Sequence, residues 1–198
     1  MILLSAGHYP ASPGACAFDW CEHEEAKRWV SRIVLLVRQQ THVDVVPTGP
    51  LGKKIKWING YSREVVDLVV EIHFNSNVNA KGCETLYCPG SAKGKQAAQI
   101  VQDALAPIFP PSRGIKEGWY RADKPGHKDY EGDVEGDEKL IAFLSQTNPV
   151  ALILEPDFIS QRARIEANRQ IACENIAVAL IKASESLRGI DKVSELHS

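Results

Sequence analysis

The chain has 198 residues, with 23 Lys+Arg against 25 Asp+Glu for a formal net charge of −2, and is 44% hydrophobic and 24% charged. This balance excludes a disordered or low-complexity chain and argues against a strongly basic nucleic-acid binder, while the length suits one domain. No apolar run approaches the roughly 20 residues that span a bilayer; Ile33 to Val37, for example, is short and flanked by Arg32 and Arg38.

Ile2 to Ser5 is a short apolar run stopped by Gly7, the pattern of a buried strand. Before it lies no basic segment, and the run is too short for a signal peptide, so no export leader is expected in the chain as it stands. Tyr9 to Asp19 contains Pro10, Pro13 and Gly14 and reads as a loop. From Glu22 to Gln40, Trp29, Ile33, Leu36 and Val37 recur at helical spacing. Val43 to Val46 reads as a second strand, and Lys53 to Val66 as partly helical, interrupted near Gly60. Leu68 to Phe74 is β-branched and nearly continuous, the strongest strand signal, and Gly82 to Cys88 reads as another strand. Ser91 to Ile108 is an amphipathic helix stopped by Pro110 and Pro111. Residues 112–136 are polar and Gly-rich, with no clear element. Asp137 to Ser145 reads as a short helix, Val150 to Glu155 as an apolar strand, and Gln161 to Leu187 as a long terminal helix.

Strands alternating with helices predict an α/β fold: a single-domain three-layer sandwich whose central, largely parallel mixed sheet is flanked by helices. A single domain is expected over 1–188, with 189–198 a short tail. In such sheets ligands bind beyond the carboxyl ends of strands, so strand ends are where chemistry is sought.

The five cysteines, Cys16, Cys21, Cys83, Cys88 and Cys173, are odd in number, which predicts reduced thiols rather than a disulfide framework. The x4 spacings within Cys16/Cys21 and Cys83/Cys88 differ from the C-x2-C of structural zinc sites. A separation of five along a strand points Cys83 and Cys88 to opposite faces, which argues against a bridge between them. Stock signatures fail elsewhere. Gly90-Ser91-Ala92-Lys93-Gly94-Lys95-Gln96 spaces its glycines too closely for a phosphate loop. His23-Glu24-Glu25 starts like a zincin helix but lacks the second histidine, and no G-x-S-x-G elbow exists.

What remains is a set of polar residues at the ends of apolar runs: His8 after the first strand, His73 at the end of the central one, Glu155 closing the late one, and Glu22, Glu24 and Glu25 opening the first helix. Each has an ordinary alternative. A histidine at a buried strand is often a hydrogen-bonded core residue, and a buried glutamate is often salt-bridged. Acidic residues at a helix start complement its dipole. Together, however, two histidines and a carboxylate compose a catalytic zinc set with one position open to water, and a further carboxylate supplies a general base.

The order and context of these residues resemble the zinc-dependent N-acetylmuramoyl-L-alanine amidases of the amidase-3 type. The resemblance spans nearly the whole chain. It is carried by Leu3-Leu4-Ser5-Ala6-Gly7-His8 with Ser12-Pro13-Gly14-Ala15, by Ile58-Asn59 with Asp67 to Ser76, by Lys81-Gly82-Cys83-Glu84-Thr85-Leu86-Tyr87, and by Pro149 to Ser160 around Glu155. It implies that His8 and His73 ligate Zn2+, that a glutamate opening the first helix is the third ligand, and that Glu155 is the catalytic carboxylate. Placing Glu22 in that role turns Trp29, Ile33, Leu36 and Val37 inward; placing Glu24 there turns Ser31 and Arg38 inward, so Glu22 is preferred and Glu24 is the runner-up. Tyr9-Pro10 replaces the family's usual Gly-Gly after the first histidine, and Pro156 its usual glycine after the glutamate; neither removes a ligand.

The implied reaction is hydrolysis of the amide joining N-acetylmuramic acid to L-alanine in peptidoglycan, with Asn75 a candidate substrate contact. Arg121, Lys124 and His127 fall in the polar middle segment, which reads as a solvated loop or a substrate-facing flap. A zinc peptidase or another amidohydrolase on the same fold, and a non-catalytic wall-binding module, stay open as alternatives. Peptidoglycan is the expected partner, with no nucleic acid and no membrane span. The chain is expected either to be made in the cytoplasm and reach the wall after release, as a phage endolysin does, or to be a trimmed secreted enzyme.

Overall fold

The structure, a computed structural model, describes all residues except 18, 63, 121–138 and 196–198. Strands β1 (Ile2–Ala6), β4 (Val43–Val45), β5 (Leu68–Ile72) and β10 (Val150–Glu155) lie parallel, while β6 (Cys83–Tyr87) runs antiparallel to β10 and carries β7 (Ser112–Glu117) as a parallel edge. The sheet order is β4-β1-β5-β10-β6-β7. Every residue of β1 and β5 is buried, as expected for parallel strands covered on both faces.

Alternation along the strands divides the core between the two faces. Ile2, Leu4, Leu68, Val70, Ile72, Leu152 and Leu154 share one cluster with residues of α1 (Glu22–Val37), α3 (Ala92–Leu105) and α5 (Arg162–Glu195). Leu3, Val69, Ala151 and Ile153 join the other, with Ile58 of α2 (Leu51–Ile58) and Phe143 and Leu144 of α4 (Ala142–Ser145). The result is the three-layer α/β arrangement that the sequence predicts. Trp29, fully buried on α1, sets its ring edge-on to Phe74 at 5.5 Å, next in sequence to His73. That packing fixes the middle of α1 against the end of β5.

Several element limits differ from expectation. Residues 112–117 form a strand that the polar sequence conceals, and β8 (Trp119–Tyr120) pairs antiparallel with β9 (Lys139–Leu140). As an edge strand β7 keeps its side chains exposed or half-buried, so it carries no apolar alternation to read, and charge on such an edge discourages strand addition. The terminal helix continues to Glu195, well beyond Leu187. Arg121, Lys124, His127 and Asp137 lie outside the described residues. No helix among the described residues is long and apolar enough to cross a membrane.

The cysteine expectation is corrected at one pair. Cys16 and Cys21 are disulfide-bonded. They lie directly opposite each other in the hairpin of β2 (Cys16–Ala17) and β3 (Trp20–Cys21). A count of cysteines cannot see this, because the pairing is created by a local turn. Cys83, Cys88 and Cys173 are free, so Cys83 and Cys88 do remain unbridged. In the chain-entropy account a closed loop this short stabilises by about 2 kcal/mol. Cys16→Ser is therefore expected to lower the urea midpoint by that equivalent, and reductant to lower only the parent protein's midpoint to match. Identical midpoints for parent and variant under oxidising conditions would refute the contribution.

Candidate active site

Three parallel strands deliver their carboxyl ends to one place. Ala6 pairs with Ile72 and Ile72 with Leu154, so Gly7-His8, His73 and Glu155 emerge side by side. The Gly7 amide donates to the Ile72 carbonyl at 2.8 Å, and the His73 amide to the Leu154 carbonyl at 2.9 Å. His8 adopts φ 58°, a left-handed conformation uncommon outside glycine and found where a site over-determines the backbone.

Glu22, the first residue of α1, reaches across the end of the sheet to both histidines. Its Oε1 accepts from His73 Nδ1 at 2.8 Å and from the Phe74 amide at 3.0 Å. Its Oε2 accepts from the Ala15 amide at 3.2 Å and lies 3.1 Å from His8 Nε2. His8, Glu22 and His73 each offer one ligand atom, and these atoms all fall within 4.8 Å of one another. Two imidazoles and a carboxylate so placed can hold a metal ion, and the donor types suit zinc.

The two glycines around the cluster are steric requirements. A Cβ on Gly7 would lie 2.7 Å from the His73 ring. A Cβ on Gly14, whose φ is +77°, would lie 2.5 Å from His8 Cδ2 and 2.6 Å from Glu22 Oε2. His23, buried, donates from Nδ1 to the Gly7 carbonyl at 2.8 Å, tying α1 to the turn that presents His8. Burial lowers its pKa, which keeps it neutral. The zincin-like His23-Glu24-Glu25 string is thus structural. Glu24 is exposed and pairs with Lys27 at 3.3 Å. Glu25 is buried and holds the Trp29 indole at 2.8 Å and Arg169 at 2.6 Å.

Charge within the cluster is tightly coupled. Burial opposes protonation of His73, but its bonds to Glu22 and Glu71 outweigh that and raise its pKa to about 10. Burial also opposes ionisation of Glu22, yet the two histidines hold its pKa far below the usual carboxylate range.

Glu155 faces Glu84 across the β10–β6 pair. Its Oε2 is buried with no hydrogen-bond partner among the described residues. Burial first, and then the Glu84 carboxylate, push its pKa up to about 8. Glu84 goes the other way: although burial opposes its ionisation, Lys116, Asn75 and Arg113 hold it below the ordinary range. Two facing carboxylates whose pKa values are driven apart in this way are a signature of acid–base assignment. Asn75 donates from Nδ2 to Glu84 Oε1 at 2.7 Å, and its backbone is pinned to Asp157 and Ile159, so its amide group orients the neighbour of Glu155.

A family model described as N-acetylmuramoyl-L-alanine amidase matches residues 2–184. The chain belongs to the amidase-3 family. No curated protein matches the sequence, but solved structures do. Cwp6 from Clostridium difficile superposes with a TM-score of 0.73 at 19% identity over 92% of this chain; the chain spans 29% of that protein's length. The amidase AmiC2 of Nostoc punctiforme gives a TM-score of 0.70 at 14% identity, covering 92% of this chain and 96% of that one. The catalytic domain of the CD27L endolysin, which targets Clostridia difficile, gives 0.68 at 22% identity, covering 93% and 96%. At these identities the structures speak for the fold, and the family match carries the activity: this amidase-3 chain is a peptidoglycan amide hydrolase.

Within the amidase, sequence reading overlooked Glu71 and Lys54. A signal existed for the first: Glu71 is a charge in an otherwise apolar strand, two residues before His73 and therefore on the same face. Lys54 leaves no such mark, since one buried lysine among the surface lysines of a short helix is visible only in three dimensions.

Proposed function

We propose that the chain cleaves the amide between the lactyl group of N-acetylmuramic acid and L-alanine, using a zinc ion held by His8, Glu22 and His73 with Glu155 as the general base. The observation that carries this reading is the meeting of those three donors beside a buried, proton-avid glutamate at the strand ends of an amidase-3 chain. A zinc ion there would supply Lewis-acid chemistry, polarising the amide carbonyl and making water a better nucleophile near neutral pH.

The protein's own groups do the rest. Glu22 fixes both imidazoles by lying between them. Glu155 takes a proton from the attacking water and returns it to the departing alanine nitrogen, so that a lactyl carboxylate and a free amine result. With a pKa pushed to about 8 before any cation is present, its carboxyl exchanges protons near working pH, as this role requires. Asn75 is assigned to the rim of the site, holding Glu84 in place beside Glu155. The cell wall is the proposed place of action, reached after release as by an endolysin or by secretion.

Digestion of purified peptidoglycan tests the reading. Mass spectrometry of the soluble products is expected to find intact stem peptides with a free N-terminal alanine, together with peptide-free glycan. Cuts inside the stem peptide would replace the amidase assignment with a peptidase on the same site, and no soluble products from a zinc-loaded chain would leave a wall-binding module.

A further inference from the structure

On the side of His73 away from Glu22 lies a buried charged network that the proposed reaction does not use. Glu71 and Lys54 are each only 3% exposed. Glu71 Oε1 accepts from Lys54 Nζ at 2.7 Å and from Ser5 Oγ at 2.8 Å. Glu71 Oε2 lies 3.1 Å from His73 Nε2. Lys54 also donates to the Ala6 carbonyl at 2.5 Å, at the end of β1 and next to the glycine against which the His73 ring rests.

The two oxygens of Glu71 therefore have different tasks. One is clamped by a helix and a neighbouring strand; the other meets the imidazole. A buried ion pair is a poor device for stability alone, because the cost of desolvating both charges offsets their attraction, and apolar residues of equal volume do as well or better. A carboxylate clamped behind a metal-binding imidazole has a specific use instead. By accepting the Nε2 proton it fixes the tautomer and the ring plane, and it leaves the Nδ1 lone pair as the donor. In this structure Nδ1 is the nitrogen turned toward Glu22.

We infer that Glu71 is a positioning residue of the metal site: Lys54 and Ser5 hold its carboxylate so that it accepts from His73 Nε2 and directs Nδ1 to the ion. The inference rests on the metal reading above. Glu71→Gln tests it with little change of shape. The glutamine oxygen can still accept from Lys54 and Ser5, but its amide N–H then faces His73 Nε2, making that nitrogen an acceptor and placing the ring proton on Nδ1, where it blocks coordination.

Zinc affinity, measured by competition with a chromophoric chelator, is expected to fall by about 10- to 100-fold, the range typical when the outer partner of a ligating histidine is lost. Nitrogen-15 NMR of His73 is expected to show Nε2 protonated in the parent, metal-free or zinc-loaded, and unprotonated in the metal-free variant. Turnover at saturating zinc should largely recover, since Glu71 is buried behind His73. The double variant Lys54→Met with Glu71→Gln removes both buried charges together, carries the same expectation for zinc affinity, and serves if the single variant does not fold. A folded variant with unchanged zinc affinity and the proton still on Nε2 overturns the inference and leaves the pair a purely structural one; failure of both variants to fold does the same. A parent protein that binds no zinc overturns the metal reading itself, and this inference with it.

Discussion

Glu22→Gln is expected to strip the site of metal, lowering zinc affinity by more than the roughly 10- to 100-fold that loss of an outer partner costs, with a matching loss of turnover at ordinary zinc levels. Two effects act together. The substitution removes the negative charge that lies between the two imidazoles a dication would bind. It also spoils a donor–acceptor match, because Glu22 Oε1 accepts from the Phe74 amide and Oε2 from the Ala15 amide. A carboxamide has one acceptor oxygen, so its N–H must face one of those amides, donor against donor, and turn away from the cluster. Glu24→Gln is the control. Glu24 is exposed and bonded to Lys27, so its loss should leave zinc and turnover intact. Gly14→Ala should behave like Glu22→Gln for a steric reason, since its Cβ would collide with both His8 and Glu22. Elemental analysis of dialysed proteins decides the matter; full zinc in Glu22→Gln, or lost zinc in Glu24→Gln, would move the ligand to another residue of the first turn.

The parts of this fold that could be read in the sequence are those where burial imposes a pattern. β1, β5 and β10 are covered on both faces, so they are written as nearly continuous apolar runs, and the polar residues at their ends stand out. Glu22 could be chosen over Glu24 because a helix has one buried face: with Glu22 at the site, Trp29, Ile33 and Val37 all turn inward, and they are buried here. What stayed hidden depends on contacts distant in sequence or on exposed geometry. β7 lies at an edge and has no apolar alternation. The Cys16–Cys21 bond needs the hairpin that brings the two residues opposite each other. Lys54 meets Glu71 across 17 residues of chain, a pairing that no local period encodes. His23 lacks the second histidine of a metal motif, and its role, with Nδ1 spent on the Gly7 carbonyl, is visible only in three dimensions.

Glu155→Gln is expected to keep zinc and lose most hydrolysis, by about 100- to 10,000-fold, the usual contribution of a positioned general base. The separation of the two effects follows from where Glu155 sits. It pairs with Glu84 on the far side of β10 from β5 and is not one of the three groups whose ligand atoms converge, so removing its charge leaves His8, Glu22 and His73 as they are. Its pKa is raised by burial and by the Glu84 carboxylate, so the neutral amide is better tolerated there than a charge, and the variant should be at least as stable as the parent at pH 7. The sign follows from linkage. A carboxyl whose folded pKa lies above its unfolded value costs stability once pH exceeds the unfolded pKa, and the cost grows until the pH passes the folded value. The metal-free variant should therefore gain in melting temperature over the metal-free parent as pH rises from about 4 toward 8, the interval between the ordinary carboxylate pKa and the raised one. Bound zinc, turnover and melting temperature measured on the same preparation distinguish the outcomes. Near-normal turnover with full zinc would remove Glu155 as the base. Lost zinc in a folded variant would make it a ligand. A variant less stable than the parent across that interval would mean that the buried Oε2 is paired in solution and that Glu155 is not a desolvated, proton-avid group.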